Sequence, residues 1–156
     1  MYEKLFSKGK IGGCTLRNRV ILSPMDDTLG QASGEISQRA IEYYAAKAKG
    51  GCGLIIVGYI AVVGPELSGI AMSGETHLIT LNDRHAMSIL AERVHEYGGK
   101  VFCQLNHPGR KTAPEYNEGH EPVCAAAMPS KMVGKTAPCH ELTVEAVVAS
   151  IERYNE

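Results

Sequence analysis

The sequence has no tryptophan, only two phenylalanines, and almost no charge imbalance, with a net charge of −1 over 156 residues. It has no basic run that would bind nucleic acid or an anionic membrane, so we expect neither as a partner. No apolar stretch approaches the roughly 20 residues of a membrane span. The N-terminal "MYEKLFSKGK" lacks an apolar signal core, which predicts a cytoplasmic protein.

Paired cysteine motifs are also lacking. The five cysteines include no C-x-x-C pair, and an odd count without a signal favours reduced thiols over a disulfide framework. His120, Cys124, Cys139 and His140 are residue types that bind zinc, but their spacing matches no familiar zinc pattern, and we expect no metal site.

Apolar runs are present and predict strands. Alternation around Gly12-Gly13 predicts a hairpin. Three runs then predict buried strands: Arg19 to Pro24, about Gly53 to Ile60, and "KVFCQL" from Lys100. Continuous apolar character suits a parallel sheet covered on both faces better than a half-exposed one.

Helical periodicity follows each predicted strand. Ser37 is placed to cap a helix, with Ile36 and Ile41 as a hydrophobic staple and Gly50-Gly51 as its end. A second helix is predicted from Asn82 or Asp83 to Gly98-Gly99. After a long loop, Thr143 opens a third helix whose apolar positions are Val144, Val147, Val148 and Ile151.

Strand and helix thus alternate three times, which is typical of a parallel α/β fold. The strand-to-helix loops are long, as expected where a barrel or a doubly wound sheet builds its site at the carboxyl ends of strands. No strand is followed by G-x-G-x-x-G or a P-loop, which weakens dinucleotide and nucleotide interpretations. Periodicity alone leaves barrel and open sheet as alternatives.

Four motifs carry a resemblance to a known family. "LRNRVILSPM", "YYAAKAKGGCGLIIVGY", "GGKVFCQLNHPGR" and "CHELT", in this order, resemble the Old Yellow Enzyme family. The nearest group is the NADH:flavin oxidoreductases related to dienoyl-CoA and enoate reductases. The resemblance implies a (β/α)8 TIM barrel that carries FMN at the carboxyl ends of its strands. NAD(P)H would reduce the flavin, which would pass hydride to an activated alkene.

The same resemblance implies cofactor-binding residues. Pro24 and Met25 would lie against the flavin ring through their backbone, Gly58 would allow close approach, and Gln104 would hydrogen-bond the pyrimidine part. Asp26 stands where many relatives have cysteine or threonine. An ionised Asp26 facing the ring would oppose the charge of reduced flavin; alternatively it turns away, and Asp27 or Thr28 faces the site.

The residues alone also support simpler roles. Pro24 can be a strand terminator and Gly58 a relief of crowding. Gln104 needs partners at the end of an apolar strand. His107 is expected to be a structural histidine in its loop, and Arg110 and Lys111 can be solvated charges.

A barrel of this type needs about 250 residues and eight β/α units. We therefore expect residues 1–156 to be the N-terminal fragment of an FMN-binding barrel domain, with about three units, weak or no FMN binding alone, and catalytic residues unknown. Open sheet edges predict self-association or association with the missing barrel portion. The alternative is a non-catalytic α/β assembly module. The substrate would be a small enone or enoyl compound.

Overall fold

The computed structural model describes residues 2–132 and 135–155. A short helix, α1 (Glu3–Phe6), precedes strands β1 (Gly9–Ile11) and β2 (Cys14–Leu16). β1 and β2 pair antiparallel, and Gly12 between them has φ +54°, a conformation that glycine adopts without steric cost. The predicted hairpin is confirmed, whereas the sequence pattern does not indicate α1.

Three parallel strands form the central sheet: β3 (Ile21–Leu22), β4 (Leu54–Ala61) and β5 (Lys100–Asn106). The order is β3-β4-β5, with β4 in the middle. The predicted strands and their parallel direction are confirmed. β3 is shorter than the predicted run from Arg19, because the chain leaves the regular ladder before Pro24, a residue that cannot donate a ladder hydrogen bond.

Helix α2 (Gln38–Lys49) connects β3 to β4. Ser37 caps it as predicted, since its hydroxyl accepts a hydrogen bond from the N–H of Ala40 at 3.1 Å. At its other end Gly50 remains right-handed and Gly51 takes the positive φ, +111°. The left-handed conformation expected for this glycine pair is therefore found at the second glycine.

Helix α3 (Leu81–Glu96) connects β4 to β5 and begins before the predicted Asn82 or Asp83. The reason is a capping box: the hydroxyl of Thr80 accepts from the N–H of Asp83 at 3.2 Å, and the Asp83 carboxylate accepts from the N–H of Thr80 at 2.7 Å. An aspartate in place of the usual glutamate made this cap hard to recognise from sequence.

The hydrophobic core lies where α2 and α3 pack on each other and on the sheet. Both predicted staple residues are buried in it. The core cluster consists of Ile36, Ala40, Ile41, Tyr44, Ala48, Ile55, Val57, Ile60, Leu90 and Val94.

Burial on both faces was predicted for all three strands and is correct only for β4. Ile21 of β3 is 44% exposed and Phe102 of β5 is 38% exposed. β3 and β5 each have a strand neighbour on one side, so only the central strand is enclosed. Of the apolar side chains of β5, Phe102 and Leu105 are partly open to solvent, whereas Val101 packs against the core.

The segment after β5 is not the uniform loop that the sequence predicts. It contains β6 (Val123–Cys124) paired in parallel with β9 (His140–Glu141), and β7 (Ser130–Met132) paired antiparallel with β8 (Lys135–Ala137). Both pairs are short and are held by a few backbone hydrogen bonds. Their residues show no periodic apolar pattern, so the sequence does not predict them.

Helix α4 (Val144–Asn155) follows, capped by Thr143 as predicted, whose hydroxyl accepts from the N–H of Ala146 at 3.2 Å. No residue of α4 that the structure describes is buried, and Ile151 on its apolar stripe is 56% exposed. Over residues 2–132 and 135–155, no helix has the length and apolar character needed to cross a membrane.

Candidate functional site

The carboxyl ends of the three parallel strands meet at one edge of the sheet. Gly58 of β4 is the register partner of Gln104 of β5, and Asp26, after β3, forms an isolated parallel bridge with Gly58. The ladder between β4 and β5 shifts register between Gly58 and Ile60. Gly58 is therefore the point at which the three strand ends meet.

Gly58 lies at a point of close packing that leaves no room for a side chain. A Cβ at this position would lie 2.6 Å from Cβ of Pro24, 2.9 Å from Oε1 of Gln104 and 3.0 Å from the backbone nitrogen of Met25. The structure thus brings Pro24, Met25, Gly58 and Gln104 into one small volume. The approach is close enough that any residue larger than glycine would force the strand ends apart.

Asp26 lies at this same edge. Its Oδ1 accepts from the N–H of Thr28 at 3.1 Å, while Oδ2 is buried and has no hydrogen-bond partner among the described residues. Burial raises the pKa of the Asp26 carboxyl, the charge of Asp27 adds to the rise, and the Thr28 N–H opposes it.

The side chain of Asp27 instead contacts helix α2. Its Oδ2 accepts from the hydroxyl of Tyr44 on α2 at 2.5 Å, and its Oδ1 accepts from the N–H of Leu29 at 2.9 Å. Burial, with the Asp27 carboxylate, raises the pKa of the Tyr44 phenol. Of the two neighbouring aspartates, Asp27 is thus engaged by α2, and Asp26 stays beside Gly58.

The sequence interpretation missed a buried carboxyl, Glu75, in the glycine-rich loop after β4. Only 3% of Glu75 is exposed, and its Oε2 accepts a hydrogen bond from the N–H of Ala71. Burial raises the pKa of Glu75 to about 7; the negative charge of Asp26 adds to the rise, whereas the Ala71 N–H and the Asn106 amide oppose it. A glycine-rich loop is usually solvent-exposed, and no feature of the neighbouring sequence indicates that Glu75 is buried.

Tyr59 and Asn106 complete this polar group and were also missed. Burial raises the pKa of the Tyr59 phenol, the charges of Glu75 and Asp26 add to the rise, and the Asn106 amide opposes it. Asn106 lies two residues after Gln104 on β5, and alternate residues of a strand share a face. The two-residue spacing from Gln104 could therefore have indicated that Asn106 lies on the same face of the sheet.

His107 has the structural role expected from its loop position. Its Nε2 lies 3.0 Å from the carbonyl oxygen of Leu67, and its Nδ1 accepts from the N–H of Gly109 at 3.0 Å. Burial lowers the pKa of the imidazole, and the Leu67 carbonyl opposes that effect. Arg110 turns to Met128, with Nη1 2.9 Å from the sulfur.

The loops after β3, β4 and β5 enclose an open cleft of about 540 Å³. Each loop supplies part of its wall, for example Gln31, His77 and Tyr116, and Glu75 also lines it. The lining includes none of the predicted cofactor-binding residues Pro24, Met25, Asp26, Gly58 and Gln104, so this cleft does not coincide with the point where the strand ends meet.

The four zinc-type residues of the sequence do not converge on one point. Sγ of Cys124 and Sγ of Cys139 lie 2.7 Å apart, whereas His140 contacts the carboxylate of Glu121. Burial, followed by the hydrogen bond with Cys124, raises the pKa of Cys139. All five cysteines are free thiols.

A family model described as NADH:flavin oxidoreductase / NADH oxidase family matches residues 4–156. The chain belongs to this family. It is 38% identical over 156 residues to the NADH oxidase of Thermoanaerobacter brockii, covering 98% of this chain and 23% of that protein. It is 32% identical over 160 residues to the cinnamate reductase of Clostridium sporogenes, covering 99% and 24% respectively. The chain therefore spans about a quarter of the length of these relatives.

The fold agrees with that membership. The Old Yellow Enzyme from Pichia sp. matches with a TM-score of 0.85 over 97% of this chain and 40% of that one, at 21% identity. At that identity the likeness shows the fold alone. The predicted resemblance to the Old Yellow Enzyme family and the predicted N-terminal part of a TIM barrel, with a hairpin and three β/α units, are both confirmed.

Proposed function

We propose that residues 1–156 supply the first flavin-binding strand ends of an FMN-dependent NAD(P)H oxidoreductase that reduces activated alkenes. The observation that supports this most directly is the close packing at Gly58, where Pro24, Met25 and Gln104 converge. The family is a flavin oxidoreductase family, and one relative is a cinnamate reductase, which names an α,β-unsaturated acid.

The residues around Gly58 fit contacts with a flavin ring. Glycine at position 58 lets the ends of the three strands pack closely, which would place their backbone and the Gln104 amide together beside one ring. Gln104 carries a donor and an acceptor on one amide, which matches the pyrimidine edge of an isoalloxazine. Backbone atoms of Pro24 and Met25 would contact the ring. The carboxyl of Asp26 would determine the charge beside it. Bound FMN would supply hydride transfer between NAD(P)H and the alkene.

Residues 1–156 would then be the N-terminal part of an FMN-binding barrel domain that acts in the cytoplasm. β5 has an open edge and α4 an uncovered apolar stripe among the described residues, so this part would associate with the remaining barrel or with a second copy. Alone, it would bind FMN weakly and lack activity, because barrels of this kind often hold phosphate with the loops after strands seven and eight.

The open edge of β5 also favours a second candidate, a non-catalytic assembly module. The test is the absorption spectrum of the purified full-length protein that contains this chain, followed by NADH oxidation with cinnamate. Bound-flavin absorption and cinnamate-dependent NADH oxidation support the reductase. A colourless protein that stays colourless after FMN addition supports the assembly module and refutes the reductase.

A further inference from the structure

Two thiols are in contact in the segment between β5 and α4. Sγ of Cys124, on β6, lies 2.7 Å from Sγ of Cys139, which directly precedes β9. Over the part of the chain that the structure describes, no cluster of three or more histidine, cysteine or acidic side chains could hold a metal ion, so the two thiols are not part of a metal site there. The chemistry open to the pair is therefore that of two adjacent thiols.

Backbone pairing, rather than the position of one surface side chain, places these sulfurs together. β6 and β9 are parallel neighbours, and the N–H of His140 donates to the carbonyl oxygen of Pro122 at 2.9 Å. The N–H of Leu142 donates to the carbonyl oxygen of Cys124, also at 2.9 Å. Both hydrogen bonds join residues at or next to the thiol pair, so the backbone fixes the separation of Cys124 and Cys139.

The same two strands connect the loop after β4 to the start of α4. Oγ of Ser68, in that loop, donates to the carbonyl oxygen of Glu121, just before β6, at 2.6 Å. On the other side, β9 leads to Thr143, whose hydroxyl caps α4. The short ladder between β6 and β9 and the contact of the Glu121 carboxylate with His140 join the two sides, and both are noncovalent. A bond between the two sulfurs would join them covalently.

The two thiols differ in exposure, which determines the order in which they react. Cys139 is buried, with 5% exposed, whereas Cys124 is partly exposed. A small disulfide in solution therefore reaches Cys124 first. Burial, followed by the hydrogen bond with Cys124, raises the pKa of Cys139, and the charge of Arg110 opposes the rise. Because the thiolate is the nucleophile, this rise slows the step that Cys139 carries out.

We propose that Cys124 and Cys139 form a thiol–disulfide switch that fastens the start of α4 to β6. The oxidant is a small disulfide such as oxidised glutathione. The Cys124 thiolate attacks one of its sulfurs, which forms a mixed disulfide and releases one glutathione thiolate. The Cys139 thiolate then attacks Sγ of Cys124, which closes the protein disulfide and releases the second. Two electrons pass to glutathione, the released thiolates take up the two protons that the cysteines lose, and excess reduced glutathione reverses both steps.

The switch is tested by hydrogen–deuterium exchange of the full-length protein that contains this chain, after equilibration with oxidised or with reduced glutathione. The cross-link closes a loop of about 15 residues, which disfavours separation of the joined ends on the order of a hundredfold. We therefore expect the amides of His140 and Leu142 to exchange at least about tenfold more slowly in the oxidised protein, because their hydrogen bonds break when β9 leaves β6. The amides of α2 should exchange equally in both states.

Cysteine variants and peptide mapping complete the test. Cys124→Ser should remove the difference between the two states, whereas Cys14→Ser, the matched control on β2, should keep it. Equal exchange in reduced protein and in protein whose Cys124–Cys139 cross-link is confirmed by mapping overturns the switch. A mixed disulfide at Cys124 that never proceeds to the cross-link overturns the pairing. Both of these results come from the wild-type protein, so they decide the matter even if a variant does not fold, and neither requires bound flavin.

Discussion

Gly58 and Glu75 illustrate how single residues define the candidate site. At Gly58 the constraint is steric, because backbone and side-chain atoms of neighbouring strand ends lie within 3.0 Å of where a Cβ would be. At Glu75 the constraint is electrostatic, because a buried carboxyl has a negative neighbour. Both constraints come from contacts between strand ends and loops that are distant in sequence, and each can be tested by one substitution.

We predict that Gly58→Ala weakens flavin binding by the full-length protein at least about tenfold, because the added methyl must displace Pro24 or Gln104, two of the residues proposed to contact the ring. Flavin fluorescence on titration with FMN measures this. Gly13→Ala is the matched control, since a Cβ at Gly13 meets no atom within 4 Å. Equal affinities of the two variants would show that the strand ends around Gly58 do not contact the ring.

We predict that Glu75 makes the fold less stable as pH rises from 5 to 8. Its pKa in the folded chain is about 7, above the ordinary 4.5, so its contribution is full below pH 4.5 and is lost as pH rises through 7. The loss is on the order of 3 kcal/mol at most. Glu75→Gln should therefore be more stable than the wild type at pH 8 and similar at pH 5, as measured by urea unfolding. Glu92→Gln, an exposed position on α3, should show no such pH dependence.

At the scale of elements, apolar periodicity predicts those contacts that repeat along the chain. Three apolar runs and their intervening helices were sufficient to predict a parallel sheet, and a parallel sheet places Pro24, Gly58 and Gln104 at one edge. What the sequence could not predict depends on isolated polar contacts. The cap at Thr80, the burial of Glu75 and the short strands after β5 each rest on a few hydrogen bonds with no repeating pattern. Burial of β5 was overestimated because apolar composition does not say how many neighbours a strand has.

Several hydrogen bonds hold the segment between β5 and α4 to the loop after β4, and the buried amide of Asn117 makes two of them and supports a third. Asn117 accepts from the N–H of Ile70 at 3.0 Å and donates to the carbonyl oxygen of Ile70 and to Oγ1 of Thr112, each at 2.8 Å. We predict that Asn117→Ala lowers the free energy of unfolding by about 2–3 kcal/mol, because the N–H of Ile70 and Oγ1 of Thr112 each lose a hydrogen-bond partner. Asn82→Ala, at an exposed position, should cost far less in the same urea titration. Similar costs at both positions would show that the segment is not anchored there.

The strands β6 and β9 bring two thiols together. Because Sγ of Cys124 lies 2.7 Å from Sγ of Cys139, we predict that oxidised glutathione converts them to a disulfide while glutathione accepts the two electrons. The reaction should be slow at neutral pH, since the raised pKa of Cys139 keeps that thiol protonated. Peptide mapping by mass spectrometry measures the cross-link, and Cys124→Ser is the control. Preferential modification of Cys14 or Cys103 without this cross-link would contradict the prediction.

For the whole molecule, apolar side chains are exposed on several elements, and β5 and α4 carry two of these surfaces. β5 leaves one edge unpaired in the sheet, and Val148 and Ile151 of α4 are 48% and 56% exposed. Solvent-exposed apolar stripes and open strand edges both favour association, the first through burial of apolar area and the second through backbone pairing. The two surfaces therefore predict that the isolated chain does not remain a monomer.

We predict that light scattering of the isolated chain shows a mass that rises with concentration. Ile151→Glu should shift the equilibrium towards monomer, because a carboxylate on the apolar stripe would have to be desolvated at any interface that buries it. Ala149→Glu adds the same charge to the same helix at an exposed position outside that stripe, and it should leave the association unchanged. If both variants keep the wild-type mass, association does not use the apolar stripe of α4. A wild-type chain that stays monomeric at all concentrations, with cooperative unfolding, would show that three β/α units are stable without any partner.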